Sequence, residues 1–351
     1  MPLDFLLQTG VTYYKGNNMF RQSKLLLSFI NHFISFSLIA ILISATAKVS
    51  AEPLKIAYSD WPGWVAWEVA LEKKWFKEAG VDVTFEWFDY VASLDAFAAD
   101  QLDAVCMTNG DALVMGATGA SSVMILINDY SNGNDMIVAR AGIANVAQLK
   151  GKKIGVEIGF VGHLLLLKAL EKSGLTESDV ELVNVATNET SQVLASGDVD
   201  AIVAWQPNSG QALAQVPGST AIYTSANDKG LIYDVLAVSP QSYAARKADW
   251  AKVIDVWYRV VDYINDPATQ PEALSIMGAR VGMASADYAP FLKGTKLLSR
   301  EEANIVFQKA DGLGSLYGSS KVSDNFNLAY DVYTDPQDID AYIDGSLTAA
   351  K

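Results

Sequence analysis

The chain has 351 residues, half of them hydrophobic, with 26 basic against 40 acidic side chains and a formal net charge of −14. That length and apolar content suffice for two domains with cores of their own, and the acidic excess argues against nucleic acid and anionic membrane surfaces as partners. One cysteine, Cys106, and two histidines, His32 and His163, exclude an internal disulfide and a Cys/His metal cluster.

Residues 25–45, LLLSFINHFISFSLIAILISA, form an apolar run preceded by Arg21 and Lys24 and followed by Val49-Ser50-Ala51. A basic flank, an apolar stretch and a small-residue site make a signal peptide, with Met19 as the expected start and a mature chain beginning near Glu52. The run is long enough to span a bilayer, so an uncleaved anchor is the competing reading. Without residues 1–51 the chain keeps 22 basic and 39 acidic residues, a net charge of −17, and no cysteine follows the cleavage site to accept lipid.

From residue 54 strands alternate with helices, the pattern of α/β layers with largely parallel sheet. LKIAYS reads as a strand and WVAWEVALEKKWFKEAG as a helix closed by Gly80; VDVTFEWF, the helix SLDAFAADQ and the strand LDAVCMT follow. VMILIND and DMIVAR are further strands. LKGKKIGVEI then opens a second copy of the plan, through GHLLLLKALEKSG, VELVNV, ETSQVLASG, VDAIVAW and STAIYTS. AFAADQLDAVCMTNGD and VLASGDVDAIVAWQPN echo one another, with Asp103 and Asp200 in equivalent places at the helix-to-strand turn. After YDVLAVSP the alternation stops, and residues 243–350 read as a mostly helical tail that packs back on the first lobe. Crossings between lobes are expected near Val138–Gly142 and Asp234–Val238. Lobe 1 then comprises 52–140 plus 236–351, and lobe 2 comprises 141–235.

Taken together, KIAY, EVALEKKWFKEAGVDVTFEWF, LDAVCMTNGDAL, LKGKKIGVEIG and DAIVAWQPN resemble the solute-binding proteins of ABC importers. The group they are most similar to is the nitrate/sulfonate/taurine type, which shares its fold with thiamine-pyrimidine-precursor binders. The resemblance implies a two-lobed, type II periplasmic binding protein, each lobe a mostly parallel sheet flanked by helices. It also implies a monomer in the periplasm that closes on a small molecule and hands it to an inner-membrane permease with its ATPase. No cofactor, nucleic acid or stable membrane insertion is expected.

Ligands of open α/β sheets bind beyond the carboxyl ends of the strands. That rule nominates Asp60, Trp61 and Trp64 in SDWPGW; Thr108, Asn109 and Asp111 in TNGD; and Asp129, Tyr130, Asn132, Asn134 and Asp135 in NDYSNGND. From the second lobe it nominates Glu157, Phe160 and His163 in EIGFVGH, and Trp205, Gln206 and Asn208 in WQPN. Trp87 and Asp89 end the second strand and have weaker support. Trp67, Trp75, Trp250 and Trp257 fall at packing positions, and Lys152 and Lys153 precede their strand, at the wrong end for a ligand.

The nominated loops hold five acids and no Lys or Arg, together with aromatic rings. Carboxylates with aromatic faces suit a small guanidinium- or amine-like cation, whereas an anion beside an unpaired buried carboxylate costs several kcal/mol. The opposing reading is an anion such as taurine, an alkanesulfonate or nitrate, held by the helix start at GFVGH or by Arg140. A thiamine pyrimidine precursor is a third. Catalysis has little support: there is no cysteine-rich iron motif, no nucleophile elbow beside His163, and GVEIGFVG lacks the GxGxxG spacing.

Overall fold

A computed structural model describes residues 52–349. The expected signal peptide lies outside the described residues, and among the described residues no helix is long and apolar enough to cross a membrane. From Pro53 onward the chain forms one compact unit built on two sheets.

The first sheet has six strands in the order β11-β4-β10-β3-β1-β2: β1 Leu54–Tyr58, β2 Val83–Trp87, β3 Ala104–Thr108, β4 Val123–Ser131, β10 Tyr233–Val238 and β11 Thr295–Leu297. The second has five, ordered β7-β6-β8-β5-β9: β5 Met136–Ala139, β6 Lys153–Val156, β7 Glu181–Asn184, β8 Ala201–Ala204 and β9 Thr220–Thr224. Each sheet has the same kernel. β1 pairs in parallel with β2 and β3, and β6 pairs in parallel with β7 and β8. The strands that carry the chain between sheets run antiparallel to their neighbours, so each sheet is mixed.

Those strands correct the expected crossings. Met136–Ala139 lies in the second sheet and Tyr233–Val238 in the first, so the chain passes between sheets at 132–135 and 225–232. Both strands are apolar runs buried on nearly every residue. Such runs mark burial but not which sheet they join.

The helix expected over WVAWEVALEKKWFKEAG is three short ones: α1 Pro62–Val65, α2 Trp67–Glu72 and α3 Trp75–Ala79. Lys74 takes a left-handed conformation (φ 59°) between the last two, which breaks the i→i−4 ladder there. Further along come α4 Tyr90–Ala98, α5 Asn109–Ala117, α6 Val161–Lys172, α7 Thr190–Ser196, α8 Asn208–Gln215, α9 Pro240–Asn265 and α10 Gln270–Arg280. The tail packs on the first sheet as expected: Trp67 and Trp257 are fully buried with ring centroids 4.5 Å apart. It also supplies β11, a strand that the sequence reading missed.

Candidate functional site

The loop Ser59–Trp64 leaves the carboxyl end of β1 and turns directly into α1, with Pro62 at the first helical position where its missing N–H costs nothing. Its two tryptophans do not reach the cleft. Trp61 is buried and its indole N–H donates to both oxygens of Asp129, at 3.1 and 3.3 Å. Asp129 presses against the backbone of Gly63, where a Cβ would sit 1.8 Å from its Oδ2, so no larger residue fits. Trp64 is buried too and stacks on Tyr90, with centroids 5.4 Å apart and ring planes at 22°. Of this loop's three nominated residues, Asp60 alone faces the cleft.

A cavity of about 310 Å³ lies between the carboxyl ends of the two parallel kernels. The first sheet contributes Asp60 from the β1 loop, and Trp87, Phe88, Asp89 and Tyr90 from the passage of β2 into α4. The second contributes Glu157 after β6, 186–189 after β7, and Trp205 and Asn208 after β8. Four lining residues are acidic (Asp60, Asp89, Glu157 and Glu189), and none is basic. The Arg280 guanidinium lies 4.2 Å from the Trp87 ring and is paired with Glu68 at 3.0 Å.

Both Asp60 oxygens are engaged: Trp205 Nε1 donates to one at 3.0 Å and Asn208 Nδ2 to the other at 2.8 Å. Trp205 also meets Tyr90 edge-on at 5.4 Å. Glu157 is held within its own unit by the Thr187 backbone N–H at 3.0 Å and the Thr187 hydroxyl at 3.1 Å. Burial raises the pKa of both carboxyls, against these hydrogen bonds, and the charge of Asp89 adds to the rise in each. Asp89 and Glu189 are exposed; Asp89 opens α4 without capping it through its side chain.

The other nominated acids sit behind this wall. Asp111 accepts a hydrogen bond from the Tyr90 hydroxyl at 2.6 Å, and burial pushes it up to about 7. Asp129 lies opposite Asp234 across the β4–β10 ladder; burial raises both, Asp129 to about 8. Asp135 ends the first crossing and is likewise raised by burial to about 7. All four are core groups in this arrangement.

Nor do the polar neighbours line the cavity. Asn109 ties the end of β3 to the Leu316–Ala329 helix through Ser319 and Ser320, and accepts from the Tyr233 backbone N–H. Asn134 donates to the Phe291 carbonyl and the Thr295 hydroxyl, both at 2.8 Å. Thr108 accepts from the Asp111 backbone N–H, Asn132 donates its own backbone N–H to the Gly294 carbonyl, and Gln206 accepts from Gly210. Tyr130 faces Tyr233. Phe160 precedes α6 and borders a residual gap of about 10 Å³ beside Asp111. His163 accepts from the Gly159 backbone N–H at 3.3 Å, lies 3.7 Å from Glu177 and packs on Phe326, with its pKa lowered by burial. Arg140, a candidate base, donates to the Leu194 carbonyl at the opposite end of the second sheet, where its backbone N–H meets the Asp200 carbonyl.

Asp60, Glu157, Trp205 and Asn208 therefore come together from the nominated set, with Trp87 and Asp89 from the weaker pair. Phe88, Tyr90, Asn188 and Glu189 were missed. The signal that could have found them is the same strand-end rule, applied to the loops after β2 and β7.

Against known proteins, the family model described as "NMT1/THI5 like" matches residues 62–269. A Brucella abortus protein named only for binding is 30% identical over 188 residues, covering 53% of this chain and 58% of its own length. The taurine-binding periplasmic protein of Escherichia coli is 26% identical over 176 residues, 50% of this chain and 51% of that one. The chain thus spans little more than half the length of these relatives. Among solved structures, the periplasmic aliphatic sulphonate binding protein of Escherichia coli superposes with a TM-score of 0.68 at 18% identity, over 86% of this chain and 100% of that one. The nitrate-binding protein of Synechocystis PCC 6803 gives 0.66 at 10% identity, over 86% and 88%. The desulfurization enzyme DszB gives 0.62 at 18% identity, over 86% and 98%. Binders and an enzyme thus share this fold.

Proposed function

The chain belongs to the NMT1/THI5-like family, and from that premise we propose that it is the substrate-binding component of an ABC importer, capturing a small cation between its two sheets. The observation that carries the charge assignment is the lining of the cleft: four carboxylates and the rings of Trp87, Phe88, Tyr90 and Trp205, with no Lys or Arg. A guanidinium or ammonium group gains on the order of 1–2 kcal/mol from each desolvated aromatic face, and a carboxylate can bind a guanidinium through paired hydrogen bonds. Neither Cys106, buried in β3, nor His163, at the start of α6, lines this cavity. The curated relatives are named for binding, and we read this chain as a binder. The site of action is the periplasm, with a permease and its ATPase as partners and the signal at residues 1–51 as the route.

One feature favours a second reading, an anionic ligand. α4 begins in the cavity with no side-chain cap, and Val91 and Ala92 of its first turn line the wall. Free N–H groups at a helix start can hold a sulfonate or nitrate.

A thermal-shift screen of the purified protein separates the two. The panel is methylguanidine, agmatine, choline and an aminopyrimidine against taurine, ethanesulfonate and nitrate. Binding stabilises by about 2.7 kcal/mol at a hundredfold excess over Kd. The cations should raise the melting temperature, and Glu157→Gln should weaken them about tenfold, the value of one hydrogen bond to a charged group. Stabilisation by the anions alone would replace the cation assignment with the second reading.

A further inference from the structure

The four acids of the cleft are not equivalent. Glu157 is bonded within its own unit, and Asp89 and Glu189 are exposed. Asp60 differs: it belongs to the first sheet's side, yet both of its oxygens are taken by donors of the second, Trp205 and Asn208. An indole N–H can only donate, so the pairing has a fixed polarity, with acceptor on the first unit and donors on the second. The two crossings between sheets lie side by side, joined by Ser131 Oγ to Ser225 Oγ at 2.6 Å and by the Ser225 backbone N–H to the Asp135 carbonyl at 2.9 Å. They make one hinge, and the Asp60 pairing lies beside it, since Gln206 and Ser209, which follow Trp205 and Asn208 in the chain, both donate to the Asn134 carbonyl of the first crossing.

We propose that Asp60 is a latch: a positioning residue that holds the two units closed through Trp205 and Asn208, retaining any ligand irrespective of its charge. This rests on the reading of the cavity as a ligand site between the sheets. It divides the labour of the acids, with closure assigned to Asp60 and charge recognition left to Glu157 and Asp89. Hydrogen bonds to a carboxylate are roughly twice as strong as neutral ones. Two of them between the units make the closed arrangement sensitive to the polarity of this single contact.

The test needs no ligand. Spin labels are placed at two exposed helical positions, Asp95→Cys in α4 and Gln192→Cys in α7, with the buried Cys106 changed to Ala. Pulsed dipolar EPR on the purified protein reads the distance between the units. Asn208→Asp faces Asp60 with a second carboxylate and should raise the open-to-closed ratio about tenfold, the equivalent of one hydrogen bond to a charged group. Adding Asp60→Asn restores acceptor against donor with the roles exchanged, and should return the short distance. Trp205→Phe, which keeps an aromatic ring and removes the N–H, should open the cleft part-way. An unchanged distance in folded Asn208→Asp, or no recovery in the double variant, overturns the latch. Should Asn208→Asp fail to fold, Asp60→Ala gives the opening arm, and an unchanged distance there overturns the latch equally. Failure of methylguanidine to bind bears on the cation reading alone and leaves these distances as they are.

Discussion

In residues 96–111 a helix end gives way to a turn at Asp100, then β3, then Thr108-Asn109-Gly110-Asp111. In residues 193–208 the same series runs through Gly197 and β8 to Trp205-Gln206-Pro207-Asn208. At the entry end the two agree bond for bond. Asp103 accepts from the Lys55 backbone N–H at 2.9 Å and Asp200 from that of Lys153 at 3.0 Å, each joining its strand to the neighbouring parallel one. Their backbone N–H groups donate back to the Lys55 and Lys153 carbonyls, and their own carbonyls accept from Ser239 and Arg140. At the exit end they part. Asp111 is buried beneath the Tyr90 hydroxyl, while its counterpart Asn208 reaches across the cleft to Asp60. The backbone plan repeats where it meets only backbone, and chemistry diverges at the strand tips, where one tip became core and the other became cleft.

The largest expected effect breaks this comparison by pH. Burial raises three carboxyls at the first unit's tip and the adjoining hinge far above the ordinary carboxylate range: Asp111 and Asp135 to about 7, Asp129 to about 8. A folded pKa raised above the unfolded value means the folded state keeps protons that the unfolded chain has lost. Stability is then full below about pH 4 and falls as pH rises through 7 to 8. For Asp111 alone the difference is on the order of 4 kcal/mol across that window. Urea midpoints should therefore fall from pH 5 to pH 8, and Asp111→Asn should flatten the fall. A midpoint rising with pH would mean that these aspartates are ionised and satisfied in the fold.

A smaller effect sharpens the agreement at the entry end. Asp103→Ala and Asp200→Ala each remove an acceptor from the first N–H of a parallel strand, in partly exposed surroundings. Each should cost about 1 kcal/mol. The two losses should match within about 0.5 kcal/mol and add in the double variant, since the sites share no partner. Chemical denaturation reads this. Unequal costs would leave the repeat a likeness of shape only.

Much of this architecture was legible. The alternation of strand and helix gave the two kernels, and the strand-end rule placed Asp60, Glu157, Trp205 and Asn208. The aliphatic-Asp-Ala-aliphatic echo gave the entry-end bonds in outline. What failed has a common cause. SDWPGW and NDYSNGND have no periodicity, so nothing in them says which side chain turns inward. An indole with one N–H serves equally as a cleft wall or, like Trp61, as a buried donor to Asp129. Residue type proposed five acids for the cleft, and tertiary packing left Asp60 and Glu157 there while burying Asp111, Asp129 and Asp135. Around β2 only Trp87 and Asp89 drew notice, and the loop after β7 drew none, because Phe88, Tyr90 and Asn188 look like ordinary strand and turn residues. Their role comes from the sheet order, which places those strands beside β1 and β6.

The smallest predicted effect concerns the turns that open the two echoing segments. Both need a left-handed residue, and each unit meets the need differently: Asp100 at φ 56° in the first, Gly197 at φ 89° in the second. Glycine enters this region without steric cost, and aspartate tolerates it better than alanine does. Gly197→Ala should therefore cost about 1 kcal/mol or more, with its new Cβ 3.3 Å from the Arg140 guanidinium. Gly197→Asp gives the second turn the first turn's residue and sets a carboxylate beside that same guanidinium, so it should cost less than Gly197→Ala. Asp100→Gly should change stability by a few tenths of a kcal/mol, because relief of strain and added freedom in the unfolded chain oppose one another. Melting curves of the three variants rank the effects. If Gly197→Asp proves worse than Gly197→Ala, the second turn is set by the space around Arg140 rather than by the backbone angle, and the likeness of the two units ends at their strands.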